Sequence, residues 1–214
     1  MKNKTPETIS SLINKGVILF EKSQIQNAKI DAELIVSHFL NSSRAALYLN
    51  RDQIVDADTC ELITKAFEKR GKRYPLQYII QEVSFLNTRL LVDESVLIAR
   101  PETEFLCEKI IQELMKAELR HNMRCLDIGT GSGAIAISIK KELSEIEMDA
   151  VDISTEAIKT ASKNALLNQT DIHFIQSDLF ENIHEKYDLI VSNPPYVTEE
   201  EYAGLEPELF FEPK

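Results

Sequence analysis

Seven residues constrain this chain more than any others: Asp127-Ile-Gly129-Thr130-Gly131-Ser132-Gly133, set between an apolar run and a helical one. Met123 to Ile128 predicts a buried strand. Three alternate glycines predict a tight loop that a ligand can approach closely, and Ala134 to Leu143 predicts a helix. The alternation continues. Glu147 to Val151 reads as a second strand ending at Asp152, followed by a helix from Ser154 to Asn168. That helix has Ser154 as cap and Ala157, Ile158, Ala161, Ala165 and Leu166 facing inward. Ile172 to Ile175 reads as a third strand and Tyr187 to Ser192 as a fourth. Strands alternating with helices predict an α/β fold with a doubly wound, mostly parallel sheet and right-handed crossovers. Ligands of such sheets bind at the carboxyl ends of the strands, near the switch point. The glycine loop, Asp152, Asp178 and Asn193 all fall on that edge.

The loop spacing is G-x-G-x-G, not the G-x-G-x-x-G of nicotinamide binders. With an acid two residues before the first glycine, it resembles the loop of class I methyltransferases that bind S-adenosylmethionine. Asp127, Gly129, Thr130, Gly131, Ser132 and Gly133 are then the first cofactor-binding candidates. Asp152 follows Gly133 by 19 residues at a strand end, where a carboxylate can accept both ribose hydroxyls. Ile153 is placed to pack on adenine. Asp178 is placed to accept from its amino group, with the backbone N–H and apolar face of Leu179 beside it. Taken singly, each aspartate reads as a strand-end turn residue; the ordered set reads as a site.

Tyr187-Asp-Leu-Ile-Val-Ser-Asn193-Pro194-Pro195-Tyr196 predicts a buried strand running into a rigid polar tip. Two prolines donate no N–H and push each preceding residue to extended geometry. The carbonyls of Asn193 and Pro194, with the Asn193 side-chain oxygen, can therefore converge as acceptors on one NH2 group. The simpler reading is a strand followed by a Pro-rich turn. Methyltransferases whose tip this resembles modify nitrogen conjugated to a π system, and the resemblance implies the same here: glutamine amide, adenine N6 or guanine N2. Such nitrogen is a poor nucleophile, so alignment and electrostatics supply the acceleration. Asn193, Pro194 and Tyr196 are the catalytic candidates, and Asn193, Pro194, Pro195 and Tyr196 the substrate-binding ones. Tyr196 packs on the planar group, and no His or Cys is placed to act as a base.

Upstream, residues 5–75 predict four short amphipathic helices forming a small bundle. Thr5-Pro6-Glu7 reads as the first start signal and Ser43 as the cap of the third helix. Tyr78-Ile-Ile, Val83, Phe85 and Arg89 to Val92 predict two strands around Asn87-Thr88. Pro101 and Thr103 predict a loop entering a helix. The net charge of −11 is uneven: residues 1–75 carry +3 and residues 76–214 carry −14. So acidic a catalytic half argues against broad nucleic-acid binding. Lys65, Lys69, Arg70, Lys72 and Arg73 read as a solvated helix end, or as a patch for an acidic partner. Cys60, Cys107 and Cys125 form neither a disulfide framework nor a metal-ligand spacing, so a reducing cytoplasm, buried thiols and no metal are expected. No run approaches a membrane span and no signal peptide is visible.

Nearly the whole chain resembles the release-factor glutamine N5-methyltransferases. The resemblance rests on Pro75-Leu-Gln-Tyr-Ile, Val96-Leu-Ile-Ala-Arg-Pro-Glu-Thr-Glu104, Leu126 to Ala136, Val151-Asp152, Gln176-Ser-Asp-Leu-Phe180, Val191 to Val197 and Phe211-Glu-Pro213. It implies a substrate-docking helical domain (1–75), a β-hairpin linker (76–98) and a cytoplasmic, Rossmann-like class I methyltransferase domain (99–214). The implied substrate is the Gly-Gly-Gln loop of class 1 peptide chain release factors, with S-adenosyl-L-homocysteine as product. Ala99 stands where the family usually has Pro, and Gln81 where it usually has Gly. The chain stops within a family motif, so the family's last strands are expected to be absent and the fourth strand to form an apolar edge. Two other readings stay open: a nucleic-acid amino-methyltransferase, and a non-catalytic binding fragment.

Overall fold

A computed structural model describes residues 6–116, 123–194, 204 and 206–213. The chain divides into two compact units, Met1–Ile80 with Glu206–Phe211, and Gln81–Leu205 with Glu212–Lys214.

The first unit is helical: α1 (Ile9–Lys22), α2 (Ala28–Phe39), α3 (Arg44–Leu49), α4 (Ala57–Gly71), α5 (Leu76–Ile80) and a 3-10 turn at Pro207–Phe211. The apolar faces of α1, α2 and α4 meet in a core containing Phe20, Ala32, Ile35, Val36 and Ile63, with Phe20 and Phe67 edge-to-face at 5.4 Å. Helix α1 starts at Thr8 rather than at the expected Thr5, which lies outside the described residues. Thr8 and Ser11 form a reciprocal capping box, and Glu7 and Ile9 pair with Val55 and Gln53 through the backbone. That pairing holds residues 7–8 extended and delays the helix. Ser43 caps α3 as expected.

Two expectations for this unit are corrected. Tyr78-Ile-Ile is helical, not a strand: Leu76, Ile79 and Ile80 all pack on the bundle core, which a strand's alternation would prevent. The basic cluster at the end of α4 is not simply a solvated end. Arg70 is buried and bonds Asp31 Oδ2 at 2.7 Å and Glu208 Oε1 at 2.8 Å; Arg73 bonds Glu208 Oε2. Burial pushes the Asp31 carboxyl up despite Arg70. Burial acts the same way on Glu208, but the bonds from Arg70 and Arg73 outweigh it and hold that carboxyl below its ordinary range.

The second unit opens with an antiparallel hairpin, β1 (Glu82–Phe85) and β2 (Thr88–Leu91), paired Phe85↔Thr88. Its turn is Leu86-Asn87, one residue earlier than expected, because Thr88 belongs to the strand and donates its hydroxyl to Phe85 O at 2.6 Å. Helix α6 (Pro101–Lys116) follows, then β3 (Arg124–Ile128), α7 (Ala134–Glu142), β4 (Glu147–Asp152), α8 (Thr155–Leu167), β5 (His173–Gln176) and β6 (Leu189–Ser192). The four sheet strands are parallel in the order β5-β4-β3-β6, so the winding reverses at β3, as a doubly wound sheet requires. Strands β5 and β6 begin one and two residues later than their apolar runs. Cys125, Met148 and Ala150 meet α6 and α7 on one face of the sheet. Leu126, Ile128 and Val151 carry Ile175, Ile183 and Tyr187 on the other.

Ser154 caps α8, and Ala157, Ala161 and Ala165 face inward as expected. Leu166 instead is 81% exposed. Asn164 and Asn168 take the inward stripe at that end, and Leu166, two residues from each, falls on the opposite side of the helix. Cys107 and Cys125 are buried free thiols pushed up to about 12 and about 11 by burial, with nearby carboxylates adding to the effect; Cys60 is only half-buried. No helix among the described residues is long and apolar enough to cross a membrane.

Candidate active site

The carboxyl edge of the sheet carries every described candidate. The glycine loop leaves β3 after Ile128, Asp152 ends β4, Ser177-Asp178 follow β5, and Asn193-Pro194 follow β6. Ile128 pairs with Ser192, so Gly129 and Asn193 are the next residues on adjacent parallel strands. Ser192 Oγ closes the gap by donating to Ile128 O at 2.9 Å. Pro195 and Tyr196 lie outside the described residues.

The loop is built for close approach. Gly129, Gly131 and Gly133 have φ of 72°, 54° and 81°, in the left-handed region. A Cβ at Gly129 or Gly131 would meet nothing within 4 Å, whereas one at Gly133 would reach Ile137 Cδ1 at 2.8 Å. Gly133 is therefore glycine for packing as well as backbone shape, while the first two line an open cradle. The N–H groups of Gly129 and Thr130 both donate to Val151 O at 2.9 Å, tying the loop to β4. Asp152 Oδ2 accepts from Gly131 N at 2.8 Å and Oδ1 from Ser154 N at 2.9 Å. A carboxylate has about four acceptor sites, so two remain.

Asp127 is buried beneath the loop. Its Oδ2 accepts from Thr130 Oγ1 at 2.7 Å and Ala136 N at 3.3 Å, while Oδ1 is buried with no partner. Burial raises its carboxyl to about 6, with the two hydrogen bonds pulling down and Asp152 adding a smaller push up. An orphaned buried carboxylate oxygen beneath an open glycine cradle fits a ligand that brings positive charge, as S-adenosylmethionine does. Ser132 is buried, and its carbonyl accepts from Asn164 Nδ2 at 2.9 Å. Ile153 and Leu179 are 65% and 60% exposed, and Asp178 is exposed on the loop that Asn182 braces through Ser177 Oγ and Gln176 O. Two apolar side chains left open beside a carboxylate suit an aromatic base.

The first turn of α6 organises the far side. Arg100 Nη2 contacts both Glu212 oxygens, at 2.5 and 2.6 Å, and Glu212 Oε2 accepts from Ile98 N at 3.4 Å. Glu104 Oε1 accepts from Leu86 N at 3.0 Å, at the hairpin turn. Thr103, buried, accepts from Asn193 Nδ2 at 3.0 Å. Thr103, Asn164 and Glu212 were not among the site residues read from the sequence. Their partners lie far along the chain, and only membership of the Arg-Pro-Glu-Thr-Glu and Phe-Glu-Pro stretches pointed toward two of them.

Residues 102–210 match the family described as methyltransferase small domain, and residues 11–80 match the PrmC N-terminal domain. With the parallel sheet and its glycine loop, this defines a methyltransferase. A release factor glutamine methyltransferase of Deinococcus radiodurans is 32% identical over 205 residues, covering 96% of this chain and 73% of that protein. Those of Fusobacterium nucleatum and Leptospira interrogans are 38% and 36% identical, covering 92% and 90% of this chain and 56% and 68% of theirs. The chain thus spans between about half and three quarters of the length of these relatives, and it belongs to the release factor glutamine methyltransferase family.

Proposed function

We propose that this chain methylates the side-chain amide nitrogen (N5) of the glutamine in the Gly-Gly-Gln loop of class 1 peptide chain release factors. The observation that carries the reading is the Ile128↔Ser192 register, which sets the glycine loop and Asn193 side by side on one sheet edge. Adjacent strands lie about 4.8 Å apart, so groups held by the two tips are within reach of each other. The family relationship supports a release factor as the substrate.

Bound S-adenosylmethionine supplies an activated methyl group and leaves as S-adenosyl-L-homocysteine. Gly129 to Gly133 and Asp127 hold its amino-acid end, Asp152 its ribose, and Ile153, Asp178 and Leu179 its adenine. Asn193 Oδ1 and the Pro194 carbonyl accept from the two amide N–H groups of the substrate glutamine. Pro195 keeps the tip rigid and Tyr196 packs on the amide plane. Holding both N–H groups fixes the amide plane, so that the nitrogen's out-of-plane electron pair faces the glycine loop. As the N–C bond forms and the S–C bond breaks, the nitrogen gives up one proton through these acceptors to water, and alignment and matched electrostatics replace a strong base.

In this reading residues 1–75 dock the release factor, residues 76–98 link, and residues 99–214 bind cofactor and glutamine in the cytoplasm. Direct nucleic-acid binding is not expected, since residues 76–214 carry a net charge of −14. The test is transfer of labelled methyl to unmodified release factor and to a variant whose Gly-Gly-Gln glutamine is replaced. Label in the first alone is the expected result; label in neither, or in added RNA or DNA, overturns it.

A further inference from the structure

We propose that Thr103 is a positioning residue that sets which end of the Asn193 amide faces the substrate. The inference rests on the function proposed above and deepens it. Asn193 is the first residue beyond the paired end of β6, and its backbone is steadied by the Ser192 hydroxyl on Ile128 O. Its side chain is a separate matter. The terminal torsion of an asparagine is broad and roughly two-fold, so the amide can present either its oxygen or its NH2 at little cost. Only the oxygen can accept from a substrate N–H; a flipped amide would point two donors at two donors.

Among the described residues, one polar contact holds the Asn193 side chain, and in it the Thr103 hydroxyl is the acceptor. Nδ2 donates to Thr103 Oγ1 at 3.0 Å. Because the amide is planar, anchoring the nitrogen there directs Oδ1 away from α6, leaving it to accept.

Thr103 can do this because it is itself immobile. It is 7% exposed, its N–H donates to Arg100 O at 3.0 Å, and β-branching restricts its side-chain torsion. The turn it sits on is pinned at both ends, by Glu212 on Arg100 and by Glu104 on Leu86 N. Three polar side chains of this turn, Arg100, Thr103 and Glu104, thus reach three different elements, and one of them reaches the Asn193 tip.

The test compares Thr103→Val, which keeps shape and removes the acceptor, with Thr103→Ser, which keeps it, in the 214-residue chain. Two readouts are used: single-turnover methyl transfer to release factor, and the side-chain amide resonances of Asn193 by 15N NMR, identified by their loss in Asn193→Ala. One neutral hydrogen bond biases a two-state orientation by about tenfold or less. Thr103→Val is therefore expected to slow transfer by up to about tenfold at saturating S-adenosylmethionine, with cofactor Kd within about twofold of wild type. Its Asn193 amide pair should shift and exchange faster with solvent. Thr103→Ser should restore both readouts. Unchanged transfer in Thr103→Val, or unchanged Asn193 resonances, overturns the proposal; so does equal loss in Thr103→Ser. If the wild-type chain labels no release factor, the function reading fails on its own, and the amide spectra still decide whether Thr103 orients Asn193.

Discussion

Asp152 Oδ2 accepts the N–H of Gly131 at 2.8 Å, across the 21 residues between the end of β4 and the middle of the glycine loop. The carboxylate expected from the sequence to hold ribose is, in the structure, the brace that shapes the glycine loop. Asp152→Ala removes two charge-assisted bonds, each worth about 1.5–3 kcal/mol. The expected outcome is a loss of S-adenosylmethionine affinity of more than tenfold by calorimetry, with a lowered Tm even without cofactor. A variant that lost affinity but kept the free protein's Tm would show that the brace does not support the fold.

Asp127 yields a pH prediction of defined sign. Its carboxyl is raised to about 6 in the fold, against about 3.9 for an unfolded aspartate. The folded state therefore holds the proton more tightly, and the stability this contributes is present below about pH 4 and is lost as pH rises through about 6, by roughly 3 kcal/mol. In Asp127→Asn this portion of the pH dependence should vanish when Tm is followed from pH 4 to 7.5. Cofactor binding should run the other way. A cationic ligand favours the ionised carboxylate, so affinity should increase with pH through about 6 in the wild type and not in the variant.

Helix α8 holds the hairpin by an amide ladder. Asn164 accepts from Leu91 N at 2.7 Å and donates to Leu91 O and Ser132 O, both at 2.9 Å; Asn168 does the same with Arg89 N and O. The match is geometric: two strand residues rise about 6.6 Å and four helix residues about 6 Å. Asn164 is fully buried and Asn168 is not. Asn164→Ala, which strands one buried and two half-buried backbone groups, should cost about 3 kcal/mol in urea unfolding, and Asn168→Ala about 1 kcal/mol or less.

In the helical unit, Arg70→Ala would leave Asp31 and Glu208 without their shared guanidinium. Loss of one partner from a buried ion cluster costs about 3–5 kcal/mol, and a lysine cannot reproduce the forked contacts. Thermal unfolding should show Arg70→Ala strongly destabilised and Arg70→Lys only partly recovered.

Gln81 occupies left-handed backbone at φ 57°, where the family usually has glycine, and its carbonyl accepts from Val92 N at 3.2 Å. Gln81→Gly should stabilise by about 0.5–1 kcal/mol, whereas Gln81→Ala, with the same Cβ conflict, should not. Chemical denaturation of the pair decides it.

Whatever depends on neighbours along the chain could be read in advance. The β3–glycine loop–α7 passage, the Ser154 and Ser43 caps and the parallel alternation arise from periodicity, capping and backbone freedom, all acting within a few residues. That is why the shared carboxyl edge of Asp127, Gly131, Asp152 and Asn193 was visible. Where a local signal was ambiguous, packing settled it. The apolar run Tyr78-Ile-Ile has no period of its own and became helix because the bundle core took it. Backbone pairing to Gln53 and Val55 moved the first cap to Thr8, and Asn164 and Asn168 turned Leu166 outward.

The relationships that make the edge a site were decided only by tertiary structure. Thr103 meets Asn193 across 90 residues, Asn164 meets Leu91 across 73, and Glu212 meets Arg100 across 112. A hydrogen bond of that span leaves no periodic trace in the sequence, because its geometry is set by where the sheet and helices bring two backbones together.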